Sequence, residues 1–327
     1  MDGIYNKVYL RYRFCCCMLL LGLLCSCSQE SSPQVEIPLL GKVPIAVHAT
    51  VATAVTRAAV SEEMKTGSLG IFRQAMNGYT ALYNVKYEKA SEAAPWSSAS
   101  TIYVGAQFAD LCAYAPYNSV TFAPNSTVAT LEAQEYKAEK DMRYATTGGN
   151  EIWKLTPQVD FTLIRSYARL TLAITRLTSY PSSTRYKCAV TKVVVEAGLP
   201  GNKVITKKTR DIATDAETIV TEAANYTFTV TTALKTSGIA AGATDNLGVD
   251  MLLPPQTLAG GVKLTLTVDG ADYAITVSAD KLNTLSAGNH YTVNIDVKGF
   301  GLQLRDLTMD KEWTSTSVGS GDYNTGF

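Results

Sequence analysis

The sequence is poor in the residue types that most catalytic sites need. Its 327 residues hold two histidines, His48 and His290, and three tryptophans. Neither histidine lies beside a Ser or Cys in a recognisable nucleophile motif. HExxH, P-loop and GxGxxG patterns are missing. Both histidines read as structural, and no catalytic residue is expected. Cysteine is scarce where it would matter. Of seven, Cys15, Cys16, Cys17, Cys25 and Cys27 crowd the start, which leaves Cys112 and Cys188 for the rest. Two cysteines do not make a disulfide-rich scaffold; they could pair in an oxidising compartment, but they read rather as small buried apolar side chains. An excess of one charge is also missing, since Lys+Arg and Asp+Glu are 29 each. That balance argues against nucleic acid or an anionic membrane as partner. Acidic residues are scattered, so a glycosidase pair can be neither located nor excluded. No EF-hand spacing occurs, and no metal or cofactor is expected. Nor is there an apolar run long enough for a transmembrane helix.

What is present begins at the N-terminus. Lys7, Arg11 and Arg13 precede a short apolar run over residues 14–24, as in a signal peptide. Leu24 stands three before Cys27 and Ser26 just before it, the arrangement a lipoprotein signal peptidase takes. Residues 1–27 are therefore expected to be a lipoprotein signal, with Cys27 lipidated. Several acyl chains, at ~0.8 kcal/mol per buried CH₂, would hold such a precursor on the outer membrane. Residues 28–42 are polar and contain proline, which suits a flexible linker.

The next stretch, 45–55, alternates. Ile45, Val47, Ala49, Val51 and Val55 fall on one face, and Thr56-Arg57-Ala58 follows. A cut after Arg57, leaving Ala58 first, would detach this strand with the tether. The vacated apolar groove would then want another strand. A permanent first strand followed by an exposed loop fits the same spacing.

Period-two alternation continues through the chain. Val262, Leu264, Leu266 and Val268 face one way, Asp269-Gly270 turns, and Tyr273, Ile275 and Val277 answer. This predicts a hairpin. Leu170, Leu172 and Ile174 alternate likewise, as do Tyr226, Phe228 and Val230, and Tyr291, Val293, Ile295 and Val297. One short helix is expected over 131–142. The class expected is all-β, in antiparallel sandwiches. A second domain is expected to begin at 158, giving an N-terminal domain over 43–157 with 45–57 removable. The C-terminal domain, 158–327, would end in a tail rich in Gly and Ser.

A set of ordered landmarks now resembles the fimbrillin family, the type V pilins of the Bacteroidota. Arg57 followed by Gly67-Ser68-Leu69-Gly70-Ile71-Phe72 is similar to the family's cleavage arginine and next strand. Cys112-Ala113-Tyr114-Ala115-Pro116-Tyr117-Asn118 resembles its tyrosine-rich strand and turn. Asp141-Met142-Arg143-Tyr144-Ala145, Leu253-Pro254-Pro255-Gln256, Ser286-Ala287-Gly288-Asn289-His290-Tyr291 and Trp313 match later landmarks. The resemblance implies two transthyretin-like antiparallel β-sandwich domains. It implies export as a lipoprotein, processing after an arginine, and polymerisation by donor-strand exchange with other fimbrial subunits. Adhesion to host or bacterial surface ligands would follow. One departure is that the stretch beyond Trp313, with Val318, Tyr323 and Phe327 among glycines, makes a weak donor strand. The rival reading is a lipid-anchored adhesin or glycan-binding module that never polymerises, with Trp96 and Tyr103, or Tyr79 and Tyr83, stacking on sugars.

Overall fold

A computed structural model describes residues 41–52, 61–147, 151–230, 238–245, 249–299 and 301–310. Cys27, Val55, Arg57 and Ala58 lie outside the described residues, as do Gly148, Gly149, Asn150 and Trp313.

Alternation and β-branched residues produce a β architecture throughout. A seven-stranded sheet runs in the order Ser61–Glu63, Ala46–Ala52, Gln158–Arg165, Arg143–Thr146, Leu111–Ala115, Gly67–Arg73, Leu82–Lys89. A second sheet orders Gln134–Glu135, Asp250–Leu253, Ala168–Arg176, His290–Lys298 and Gly301–Asp310, with Thr244–Asp245 also on Ala168–Arg176. Facing it is a four-stranded sheet, Tyr226–Thr229, Val190–Ala197, Val262–Val268, Ala271–Val277. A further four-stranded sheet holds Ala216–Ala223, Val204–Asp211, Val128–Glu132 and Thr121–Phe122.

The alternating residues form the cores. Leu170, Leu172, Ile174, Val293 and Ile295 meet Val193, Val195, Leu264 and Leu266 across the second sandwich. Leu69, Ile71, Leu111, Ala113, Phe161 and Leu163 form another core on one face of the seven-stranded sheet. The other face sends Phe72, Cys112, Tyr114 and Tyr144 against Ala129, Leu131 and Ile212. Its central strands are thus buried on both sides, which explains the unbroken burial of Leu111–Ala115. Cys112 and Cys188 are free and buried in different clusters. Burial pushes the Cys188 thiol up to about 12 and raises the Cys112 thiol as well.

Local turns follow residue chemistry. The hairpin at Asp269-Gly270 has positive φ at both residues, 48° and 84°, the combination a two-residue hairpin turn needs. In Gly301–Asp310 the apolar positions change phase between Leu304 and Leu307. A β-bulge that leaves Arg305 unpaired absorbs the slip, so Leu302, Leu304 and Leu307 all pack on the second core.

Two expectations need correction. The stretch 131–142 is not a helix. It contains Val128–Glu132, Gln134–Glu135 and a single 3₁₀ turn at Ala138–Lys140. Its apolar stripe is too thin to pack a helix, whereas Leu131 buries fully from a strand. The sheets are not purely antiparallel. Ala46–Ala52 runs parallel to Gln158–Arg165, and Ala168–Arg176 runs parallel to His290–Lys298. Gln158–Arg165 joins the first sheet and Ala168–Arg176 the second, so the chain passes between sheets at Ser166-Tyr167.

Candidate functional site

The opening strand lies one position in from the edge of its sheet. Ala46–Ala52 pairs over its length with Gln158–Arg165, placing Val159, Phe161 and Leu163 beside Val47, Ala49 and Val51. Ile45 is 7% exposed, Ala49 1% and Val51 5%, and Val47 is half-buried. The opposite face is open to solvent. There His48 Nδ1 lies 3.0 Å from Asp160 Oδ1, and Thr50 meets Thr162. An exposed pair of that kind contributes little, so the strand is held mainly by its inner face and its backbone bonds.

The outer flank is a three-residue strand, Ser61–Glu63. All three residues are exposed and pair only with Thr50–Ala52. This short wall does not depend on the opening strand alone. The next residue, Met64, is buried. Lys89 Nζ donates to Glu63 Oε1 at 2.8 Å from the far edge strand of the same sheet. The Lys89 ammonium holds the Glu63 carboxyl below its ordinary range, first by that hydrogen bond and then by its charge. Two edges of the sheet are therefore tied together beside the opening strand. Withdrawal of that strand would leave a slot between Ser61–Glu63 and Gln158–Arg165, with Val159, Phe161 and Leu163 along the inner side of the second wall.

The remaining polar clusters look structural. Buried Asp141 accepts from Arg143 Nη2 at 3.2 Å and Arg165 Nε at 2.9 Å. Arg169 forks onto Asp250 at 2.9 and 2.5 Å, with its guanidinium 3.6 Å over the Tyr136 ring. Thr171 Oγ1 touches Asp250 and, at 2.7 Å, His290 Nε2. Burial, then the Arg169 charge, pushes the His290 imidazole down to about 4. Asp141, Arg143 and Arg165 sit at or beside strand ends of the first sheet, and Arg169, Asp250 and His290 near strand starts of the second. Among the described residues no group of three His, Cys, Asp or Glu could hold a metal. No described helix is long and apolar enough to cross a membrane.

The aromatic pairs named from sequence separate. Tyr79 is a core tie, its hydroxyl bonded to Gly105 N at 2.6 Å and Gln107 O at 2.8 Å. Trp96 packs half-buried on the first core. Tyr83 and Tyr103 stay exposed, at 42% and 38%. Sequence reasoning missed the short outer wall and the Lys89–Glu63 tie. Three polar residues in Ser61–Glu63 carry no strand signal, and a lone lysine 26 positions away carries no pairing signal.

Stacked β layers, with an opening strand flanked on both sides, define a β-sandwich protein. Comparison narrows the class. A profile of the fimbrillin-like family matches residues 56–313, and the chain belongs to that family. The family is a structural one at the cell surface, which supports a role as a fimbrial subunit. The fold is similar to that of a protein from Bacteroides uniformis assigned to cell adhesion. The TM-score is 0.57 with 22% identity, covering 85% of this chain and 100% of that one. It is also similar to a cell adhesion protein from Bacteroides ovatus, with TM-score 0.54 and 13% identity, covering 83% and 98%. At such identities the likeness concerns the fold. No curated protein matches.

Proposed function

We propose that the chain is a fimbrial subunit exported as a lipoprotein precursor and assembled by strand exchange. The lipid on Cys27 holds it at the outer membrane. A cut between Arg57 and Ala58 releases the strand that carries Ile45, Val47, Ala49, Val51 and Val55. A neighbouring subunit's strand then fills the slot, and the polymer supports adhesion. Residues 43–157 and 158–327 follow the two-domain plan of the family, with the exchange slot straddling that boundary.

One observation carries this reading. The opening strand buries its inner face between a wall that continues the sheet and a short wall fixed by the Lys89–Glu63 bond. A strand so flanked can be exchanged without dismantling its neighbours.

N-terminal sequencing of the surface-exposed form tests the proposal. Ala58 as first residue, lost in Arg57→Ala together with SDS-resistant ladders, supports it. Normal assembly of Arg57→Ala contradicts it.

A further inference from the structure

The edge strand Leu82–Lys89 carries a groove of about 650 Å³ that the assembly reading does not use. The sequence builds it with one irregularity. Ile71 pairs with Val85 but Arg73 pairs with Leu82, so Tyr83 and Asn84 together oppose a single residue. Asn84 takes the left-handed conformation, φ 52°, which an asparagine tolerates. The bulge re-aims its neighbours, as bulges do. Tyr83 is left 42% exposed, and its side chain makes no hydrogen bond or ring contact among the described residues. Asn84 Oδ1 accepts from the Tyr114 hydroxyl at 2.9 Å, and that oxygen accepts from Asn118 N at 3.0 Å. The same buried tyrosine therefore ties the bulge to the turn that presents Tyr117.

Polar groups complete the lining. Lys86 Nζ is 2.5 Å from Glu88 Oε1 and 5.6 Å from the Tyr117 ring centre. Glu88 also bonds the backbone of Ser97 in both directions, which sets the 97–100 loop as the far wall with Ser98 and Ser100 on it. The ion pair is about half exposed, so it adds little to stability and is free to rebond. Its two charges cancel.

We infer that this groove binds a neutral saccharide chain. A pyranose has an apolar C–H face and a rim of hydroxyls. An exposed tyrosine ring matches the face, while an ammonium–carboxylate pair and serine hydroxyls match the rim, since they offer donors and acceptors side by side. The volume falls in the range of ligand sites. The groove is open, so it takes a run of sugar units rather than one enclosed ring. The cancelled charge excludes a preference for acidic sugars. The groove's strand is the last in the hydrogen-bonded order, and its final residue, Lys89, which reaches the outer wall of the slot, lies outside the groove lining. This deepens the adhesive half of the proposed function without depending on polymerisation.

The test is saturation-transfer NMR on the uncut full chain with maltotriose, chitotriose and xylotriose, and with 3′-sialyllactose as the acidic comparison. Transfer to the ring protons of at least one neutral trisaccharide is expected. Tyr83→Ala weakens it about fivefold, whereas Tyr83→Phe keeps it. Neither change alters the melting temperature, because the side chain is exposed. Transfer from none of the neutral sugars, transfer from sialyllactose alone, or equal affinity in Tyr83→Ala overturns the inference. Failure of processing at Arg57 leaves this readout unchanged, and failure here leaves that processing unchanged.

Discussion

Replacing Val51 by Ala separates a permanent strand from a replaceable one. Val51 is 5% exposed and stands beside Leu163. The change removes two carbons from a packed site. At ~0.8 kcal/mol each plus a cavity contribution, the loss is about 2 kcal/mol. For a chain of this size that lowers the melting temperature by about 3 °C. The assay is differential scanning calorimetry on two forms, the uncut chain and the chain cut after Arg57 with a second subunit's strand in place. The uncut Val51→Ala protein melts early, and the cut and refilled one melts like its parent, because residue 51 has left. Phe161→Ala is the control. Phe161, on the neighbouring wall strand, stays in both forms and is 1% exposed, so its loss lowers both by about 3–5 kcal/mol. Equal destabilisation of cut and uncut chains by Val51→Ala refutes the reasoning.

Other outcomes follow from the same coordinates. Asp141→Asn strips the charge that Arg143 and Arg165 share, and should lower stability by about 3–5 kcal/mol, seen as an earlier urea midpoint. Gly70→Ala places a Cβ 2.0 Å from Tyr114 Cε1 and 2.4 Å from Asn84 Oδ1, so about 1–3 kcal/mol is lost in the same melt. His290 stays neutral in the fold down to about pH 4, while the unfolded chain protonates it near 6.5. The unfolded state therefore binds more protons between those values, and stability falls as pH drops from 6.5 to 4. His290→Gln should flatten that part of the stability–pH curve.

The sandwich nature of the chain was legible because alternation is a local signal. The stretches around Leu170, Leu264 and Val293 each announce an inner face, and the Asp269-Gly270 turn announces its hairpin. Strand direction was not legible. Whether Ala46–Ala52 lies parallel or antiparallel to its neighbour depends on a partner more than a hundred residues away. The phase slip at Arg305 can be read only once a bulge is allowed, since strict alternation assigns Leu304 and Leu307 to opposite faces. The inner residues of the candidate strand were legible, but its walls were not. Ser61–Glu63 is polar on every side, and its fastening to Lys89 is a contact across the sheet. Tyr83 was visible as an aromatic residue. Its exposure comes from the Asn84 bulge, which single-residue propensities do not reveal.

Hydrogen exchange along Gln158–Arg165, before and after a single engineered cut at the Arg57–Ala58 bond, addresses the central claim most directly. The account expects protected amides in the uncut chain, lost protection at Phe161 and Leu163 once the peptide departs, and recovery when a second subunit's strand is supplied. Unchanged protection in a cut monomer, with the peptide still seated, contradicts it.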